Sequence, residues 1–261
     1  MDNACVIGGL GIVGGATVKV FGIKNIYDIK ESTITLDKVA RLRFCFICLP
    51  TPVREDGSYI TDDIEALIKQ IEDYGSNCLY IIRSTVYPGF ARYLMDKLQI
   101  DCVISNPEFL SQDTAERDSK NPPFVLLGGA NPNYLQEIKG LYEGRIKGAP
   151  VILTDNISAE LAKIALNGFF ATKVIYANTI FDIARKLGAN YETVKSVFER
   201  HPFGFRNHAQ VYYKGKRGVH GACLSKDTRA LQYYTDAQLI KTINQLNEEI
   251  KNLKDEEIST I

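Results

Sequence analysis

A glycine pattern, Gly-x-Gly-x-x-Gly, stands close to the start of the chain and leaves few folds open to it. It consists of Gly9, Gly11 and Gly14, and it follows directly on the apolar run 4–7 at the opening of an amphipathic stretch. In that context the three glycines permit, in turn, a tight turn, a close approach of backbone to a pyrophosphate, and close packing of helix on strand. The helix N-terminus supplies N–H donors and partial positive charge. The pattern therefore predicts a strand, a loop and a helix that together bind a dinucleotide.

An acidic residue at the end of the next apolar run indicates which dinucleotide fits. Asp28 follows the run 25–27, near the spacing of about 20 residues at which a carboxylate binds the ribose hydroxyls. A carboxylate in this position repels a 2′-phosphate. We therefore predict NAD, rather than NADP, as the cofactor.

Short apolar runs alternate with amphipathic stretches through the first 154 residues, and several runs are apolar on both faces, as buried parallel strands are. The predicted strands are 4–7, 25–27, 44–48, 79–82, 102–104, 125–127 and 151–153, and the predicted helices are 11–21, 62–74, 89–97 and 133–142. This alternation predicts an α/β fold, a Rossmann-like doubly wound parallel sheet, for residues 1–154. Residues 155–261 are predicted to form an all-helical central domain, with helices over 155–187, over 191–199 and from 224 almost to the end.

The charge balance excludes some classes of partner. Lys plus Arg and Asp plus Glu both number 31, so the formal net charge is zero, which argues against a nucleic-acid or anionic-membrane surface. No window approaches the roughly 18 apolar residues of a spanning helix, and the start lacks the charged region of a signal peptide. We expect a cytoplasmic protein with reduced cysteines and no metal site. Cys45 and Cys48 have CxxC spacing but lie in an apolar run, which predicts burial.

Five further blocks occur in a fixed order along the chain. They are Leu49-Pro50-Thr51-Pro52, Arg83-Ser84-Thr85-Val86, Asn106-Pro107-Glu108-Phe109-Leu110, Glu160-Leu161-Ala162-Lys163-Ile164-Ala165-Leu166-Asn167 and Gly221-Ala222-Cys223-Leu224-Ser225-Lys226-Asp227-Thr228. With the glycine loop, they resemble the UDP-glucose/GDP-mannose dehydrogenase family from residue 3 to about residue 235. The resemblance implies NAD-dependent oxidation of the primary alcohol of a nucleotide sugar to a carboxylate, through a cysteine thiohemiacetal and thioester. The Lys226-Asp227 ending favours UDP-glucose as the substrate.

The same blocks imply the catalytic residues. These are Cys223, Lys163, Asp227, Asn167, Glu108 and Thr85. Cys223 precedes a predicted helix, whose N-terminus stabilises a thiolate, and Asp227 follows one helical turn later. Lys163 and Asn167 are also one turn apart, and the resemblance places them around the developing oxyanion. It assigns proton and water handling to Glu108 with Asp227, and the positioning of water to Thr85.

The binding residues come from the glycine pattern and the resemblance together. The cofactor-binding residues are Gly9, Leu10, Gly11, Ile12, Val13, Gly14, Asp28, Pro50, Thr51 and Thr85. The substrate-binding residues are Glu108, Phe109, Leu110, Lys163, Asn167, Arg206, Gly218 and Cys223. The resemblance also implies a homodimer formed through the long central helix, and we expect no counterpart of the family's C-terminal UDP-binding domain in this sequence.

Two other functions and one structural question stay open. The chain could be a catalytically silent NAD or nucleotide-sugar binding protein, or a one-step dehydrogenase of a small alcohol that needs no nucleophilic cysteine. Near the end, Leu239, Ile243, Leu246, Ile250 and Leu253 have 4-3-4-3 spacing. That spacing suits a short coiled-coil seam and an amphipathic helix on its own domain about equally.

Overall fold

Seven short apolar segments pair into one sheet. They are β1 (Ala4–Ile7), β2 (Asn25–Tyr27), β3 (Phe44–Ile47), β4 (Leu79–Ile82), β5 (Val103–Ser105), β6 (Val125–Gly129) and β7 (Val151–Thr154). The order across the sheet is β2-β1-β3-β4-β5-β6-β7. The α/β prediction is confirmed, with one correction to the parallel sheet. β5 and β6 pair antiparallel, because the periodicity of an apolar run does not encode the direction of the strand.

The structure is a computed structural model that describes residues 1–202, 204, 208–221 and 223–253, and of Gln112 only the backbone. Contacts divide the chain into a sheet unit, Met1–Pro52 with Tyr59–Lys163, and a helical unit, Val53–Ser58 with the described residues from Ile164 onward. The division falls inside the longest helix, after Lys163. The domain boundary between residues 154 and 155, which coincides with the start of that helix, stays a prediction.

Helices cover both faces of the sheet. They are α1 (Ile12–Phe21), α2 (Leu36–Val39), α3 (Asp62–Glu72), α4 (Phe90–Leu98), α5 (Ala115–Lys120) and α6 (Pro132–Glu143). Because successive strand side chains point to opposite faces, Cys45 and Ile47 pack with residues of α3 and α4, whereas Phe46 packs with residues of α1 and α6. The predicted burial is confirmed for Cys45, whereas Cys48 is only half-buried. The short, polar α5 was not predicted, because it carries no apolar periodicity.

The helical unit holds most of the 31-residue helix α7 (Asn156–Lys186). It continues with α8 (Tyr191–Arg200), the two-stranded hairpin β8 (Tyr212–Tyr213) and β9 (Lys216–Arg217), α9 (Leu224–Thr235) and α10 (Gln238–Asn252). The hairpin lies between residues 199 and 224, where no regular element was predicted: its Lys214 and Gly215 both have positive φ, as a two-residue primed turn requires. The single terminal helix expected from residue 224 is divided at Asp236, which is left-handed.

The last helix, α10, packs on its own unit. Ile243 and Ile250 lie in a cluster with α7 residues such as Ile175, while Leu239 stays 66% exposed. Of the two interpretations of the apolar spacing, Ile243 and Ile250 therefore support an amphipathic helix that packs on its own domain. None of the helices in the described part of the chain is both long and apolar enough to cross a membrane.

Candidate active site

The glycine loop joins β1 to α1, where the sheet order reverses between β2 and β3. Gly8 has a φ of +75°, and a Cβ on it would lie 2.5 Å from the carbonyl oxygen of Cys48. A Cβ on Gly9 would lie 2.7 Å from Ile26 Cγ2, and one on Gly14 would overlap the carbonyl oxygen of Gly8. The left-handed residue of this turn is therefore Gly8, which precedes the pattern, and Gly9 and Gly14 serve close packing.

The carboxylate of Asp28 reaches the loop. The Leu10 N–H donates to Asp28 Oδ2 at 3.1 Å, and the Lys30 N–H donates to Oδ1 at 3.2 Å. Each oxygen of a carboxylate has two lone pairs. Asp28 can therefore hold the loop and still accept a hydrogen bond from a ribose hydroxyl.

The start of α1 fits the pyrophosphate of NAD. The N-cap residue, Gly11, has no side-chain cap, and the first turn contains no acidic residue. A Cβ on Gly11 would meet only the carbonyl oxygen of Gly8, at 3.3 Å, so the outer side of the loop is open. An uncapped helix N-terminus without a neighbouring carboxylate attracts an anion through its N–H groups and its dipole. Leu10 and Ile12 are exposed beside it, and Val13 is half-buried.

We expect Gly14→Ala to weaken NAD binding about tenfold or more, because overpacking against Gly8 costs on the order of 1–3 kcal/mol and distorts the loop. Gly15→Ala is the matched control, since a Cβ there meets its nearest atom, the Gly9 carbonyl oxygen, at an ordinary 3.6 Å. Titration of both variants with NAD, followed by calorimetry, checks this. Parent-like NAD affinity in Gly14→Ala would show that the loop does not hold the cofactor.

The other predicted cofactor residues follow β3 and β4. Pro50 is exposed, Thr51 is buried, and the Thr51 hydroxyl donates to the carbonyl oxygen of Thr85 at 2.5 Å. This bond ties the ends of two neighbouring strands together. Ligands of open α/β sheets bind at such carboxyl ends, and Thr85 itself is half-buried there.

Lys163 and Glu108 form a pair within the sheet unit. Lys163 Nζ lies 3.0 Å from Glu108 Oε1, and the two side chains are 7% and 13% exposed. Glu108 Oε2 accepts the Leu110 N–H at 2.7 Å, and Lys163 Nζ stands 5.5 Å from the ring centre of Phe109. The structure therefore brings four predicted residues together around one largely desolvated ion pair, in which a proton can be exchanged or a developing negative charge held.

A carboxylate to which the sequence assigned no role fixes the start of α7. Glu160 is 3% exposed. It accepts the N–H groups of Gly89 at 2.6 Å and Ala91 at 3.0 Å, and the hydroxyl of Ser105 at 2.8 Å. It thus caps α4 from about 70 residues away and sets the register of the helix that carries Lys163. Two signals were available in the sequence: Glu160 opens one of the five blocks, and it lies three residues before Lys163.

The helical unit brings together Cys223, Asp227 and Asn167. Cys223 is the N-cap residue of α9 and is exposed. Asp227, one turn on, is 1% exposed, and its Oδ2 accepts the Asn167 side-chain amide at 2.5 Å. Lys226 forms an ion pair with Asp227 Oδ1 at 2.5 Å. Asp227 is therefore a buried carboxylate held by an amide and an ammonium one turn from the thiol.

The other cysteines are in different surroundings. All six lie within the described residues, and Cys223 alone is exposed. Burial raises the pKa of the Cys5 thiol to about 12 and holds the pKa of Cys45 well above its ordinary value. Because the thiolate is the nucleophile, those thiols are unreactive at neutral pH.

Two predicted substrate residues remain. Gly218 has a φ of +89°, and a Cβ there would lie 2.8 Å from Asn247 Oδ1. Asn247 Oδ1 also accepts the Val219 N–H at 2.7 Å, so it fixes the approach to Cys223. Arg206 lies outside the described residues.

Comparisons with known proteins identify the family of the chain. Residues 23–146 match the UDP-glucose/GDP-mannose dehydrogenase family, NAD binding domain, and residues 157–249 match its central domain. The two matches cover most of the chain, which therefore belongs to this family. The first match confirms NAD as the cofactor. Because this match begins after the glycine loop, the role of the loop in binding NAD rests on the geometry of the loop itself.

The individual relatives are named for different nucleotide sugars. The chain is 29% identical over 248 residues to a UDP-glucose 6-dehydrogenase of Rickettsia felis, covering 89% of this chain and 54% of the relative. It is 31% identical over 220 residues to a GDP-mannose 6-dehydrogenase of Pseudomonas syringae pv. tomato, covering 77% and 49%. The chain thus spans about half the length of these curated relatives.

Solved structures show the same fold. One is a UDP-glucose dehydrogenase from the archaeon Pyrobaculum islandicum. It is similar at a TM-score of 0.82 and 22% identity, over 94% of this chain and 68% of that one.

Proposed function

We propose that the chain oxidises a nucleotide sugar, UDP-glucose, to the uronic acid with NAD, and that Cys223 is the nucleophile. One observation carries the proposal: the one exposed cysteine of the six begins α9, a turn away from the buried carboxylate of Asp227. A one-step dehydrogenase needs neither group.

Each cluster suits one part of this chemistry. Glu108 and Lys163 can take the alcohol proton and hold the developing oxyanion. The Cys223 thiolate adds to the aldehyde and gives a thiohemiacetal, whose oxidation leaves a thioester. Asp227 orients the water that attacks the thioester, with Thr85 as a second water contact. The carboxylate then leaves and the thiol is restored.

NAD, when bound, supplies the two-electron oxidant for each of the two oxidations, so one sugar requires two NAD. The residues that would hold it are those of the glycine loop and Asp28, with Pro50, Thr51 and Thr85 at the ends of β3 and β4.

UDP-glucose is the proposed substrate on two grounds. The cysteine block ends in Lys226-Asp227, and these two side chains form an ion pair at the start of α9. The UDP-glucose 6-dehydrogenase of Rickettsia felis also matches 89% of this chain. We assign substrate contacts to Glu108, Phe109, Leu110, Lys163, Asn167, Arg206, Gly218 and Cys223.

A panel of UDP-glucose, GDP-mannose and N-acetylated UDP-sugars, followed by NADH absorbance and product mass, tests the proposal. The expected result is UDP-glucuronate from UDP-glucose. Calorimetric binding of sugar and NAD with no NADH would favour a silent binding protein, and an aldehyde as final product would favour a one-step dehydrogenase.

We also propose a homodimer formed through α7. Phe169, Tyr176 and Ile183 recur every seven residues on this helix, and they are 57%, 48% and 45% exposed. Residues seven apart lie on one face of a helix, so the three form an apolar stripe of the kind that subunit interfaces cover.

We expect Tyr176→Glu to shift the protein from dimer to monomer, because a carboxylate buried in an apolar interface loses its hydration. Tyr74→Glu is the control: Tyr74 is 59% exposed and lies just beyond the end of α3. Sedimentation velocity of both variants and the parent checks this. A parent that sediments as a monomer, or a dimer that Tyr176→Glu leaves intact, would contradict the assignment.

A further inference from the structure

A small cavity in the sheet unit lies against a buried guanidinium. Its volume is about 50 Å³. The side chain of Arg83, at the end of β4, lines this cavity and is 8% exposed, and Ser119 of α5 lines it with the same exposure. Glu108 and Asp118 also line the cavity, so the cavity adjoins the segment that contributes Glu108 to the pair with Lys163.

The guanidinium of Arg83 is only partly used. Its Nη1 donates to Asn106 Oδ1 at 2.7 Å and to the Tyr142 hydroxyl at 2.6 Å. Over the stretch of chain that the structure describes, Nε is buried without a hydrogen-bond partner, and so is the Ser119 hydroxyl. The edge of a guanidinium that carries Nε is one of the forks that bind an anion through two parallel N–H groups.

The charge of Arg83 is also balanced only at a distance: Glu108, which lines the same cavity, attracts the guanidinium without forming an ion pair with it. No carboxylate among the described residues lies within ion-pair distance of it. The two that line the cavity have other partners: Glu108 accepts from Lys163 and Leu110, and Asp118 accepts from Thr114, Ser111 and Arg117. A buried cation that has lost its hydration gains from a counter-charge placed in direct contact with it.

We propose that this cavity binds one small monovalent anion, of the size of chloride or formate, on the Arg83 guanidinium, with Ser119 as the second donor. The volume sets the size of the ligand. A protein cavity of about 150 Å³ takes benzene, and a water needs about 10–15 Å³, so about 50 Å³ holds one to three heavy atoms. Nucleotide and drug-sized ligands occupy several hundred Å³. The cavity is therefore too small for NAD or for a whole nucleotide sugar, although Glu108, one of the proposed substrate contacts, lines it.

The test is the thermal unfolding midpoint of the full chain in sodium chloride, sodium formate or sodium gluconate at constant ionic strength. Gluconate is too large for the cavity and serves as the reference. In the parent, the midpoint should rise by about 5 °C when chloride or formate reaches about a hundredfold excess over its dissociation constant. The anion that raises the midpoint more, chloride or formate, shows which size of anion the cavity prefers.

Arg83→Met should abolish the anion-dependent rise, whereas the matched control Arg92→Met should keep it, because Arg92 is an exposed arginine on α4. If Arg83→Met does not fold, Ser119→Ala provides a second measurement. The native parent should broaden the ³⁵Cl resonance of chloride in solution, and Ser119→Ala should reduce that broadening. Equal midpoints in all three salts, or parent-like chloride broadening in Ser119→Ala, would overturn the proposal.

Discussion

Cys223→Ser is expected to lower the rate of uronate formation at least about a thousandfold while leaving NAD affinity unchanged. A serine hydroxyl has almost no anionic form at neutral pH, and replacing the attacking atom of a covalent enzyme removes most of its rate enhancement. Cys223 is not among the residues proposed to bind NAD, so cofactor binding should persist. The measurement is uronate by mass spectrometry, with a parallel NAD titration.

Cys102→Ser is the control for the cysteine substitution. Cys102 is half-buried, and burial raises the pKa of its thiol to about 11, so it contributes no thiolate at neutral pH. Parent-like uronate formation in Cys102→Ser together with its loss in Cys223→Ser supports the nucleophile assignment. If Cys223→Ser forms uronate at the parent rate, the thiohemiacetal route is wrong and the exposed cysteine has no part in the reaction.

Glu160→Gln is expected to lower the free energy of unfolding by about 3 kcal/mol, and the unfolding midpoint by roughly 6–12 °C. The carboxylate accepts two backbone N–H groups and the Ser105 hydroxyl in a buried position. An amide has one acceptor oxygen and an NH₂ group that would face donors. At least one backbone N–H at the start of α4 would then be left without a partner.

The matched control is Glu192→Gln on α8, where the carboxylate side chain is 72% exposed. Its effect should stay within about 0.5 kcal/mol, as for most exposed positions. Urea unfolding, monitored by circular dichroism, measures both changes. A Glu160→Gln variant as stable as the parent would show that this carboxylate does not hold the start of α7 in place.

Local patterns in the sequence were enough to predict the positions of the strands in the sheet unit. Each strand is a short apolar run, and a doubly wound sheet buries such runs on both faces, so their positions could be found one by one. The loop before α1 was found for the same reason, because a glycine pattern acts within its own turn. The pattern does not include the left-handed residue of this turn: Gly8 precedes the pattern, and it is the carbonyl of Cys48, about 40 residues away, that excludes a Cβ there.

The pairings within the candidate site could not be predicted in this way. Spacing placed Lys163 and Asn167 one turn apart on a helix, which suggested a shared role, but each bonds a carboxylate from a distant part of the chain. Lys163 pairs with Glu108, 55 residues earlier, and Asn167 bonds Asp227, 60 residues later. These contacts depend on how helices and strands pack, which periodicity does not encode. The same holds for the capping of α4 by Glu160 and for the buried charge of Arg83.

The central claim is that one thiol carries a sugar through two successive oxidations, and the ratio of NADH to product tests it most directly. Purified protein, limiting UDP-glucose and excess NAD are incubated to completion, and NADH absorbance is compared with the amounts of uronate and aldehyde. The account predicts two NADH for each uronate and no accumulated aldehyde. One NADH for each molecule of aldehyde, with no uronate, would contradict it.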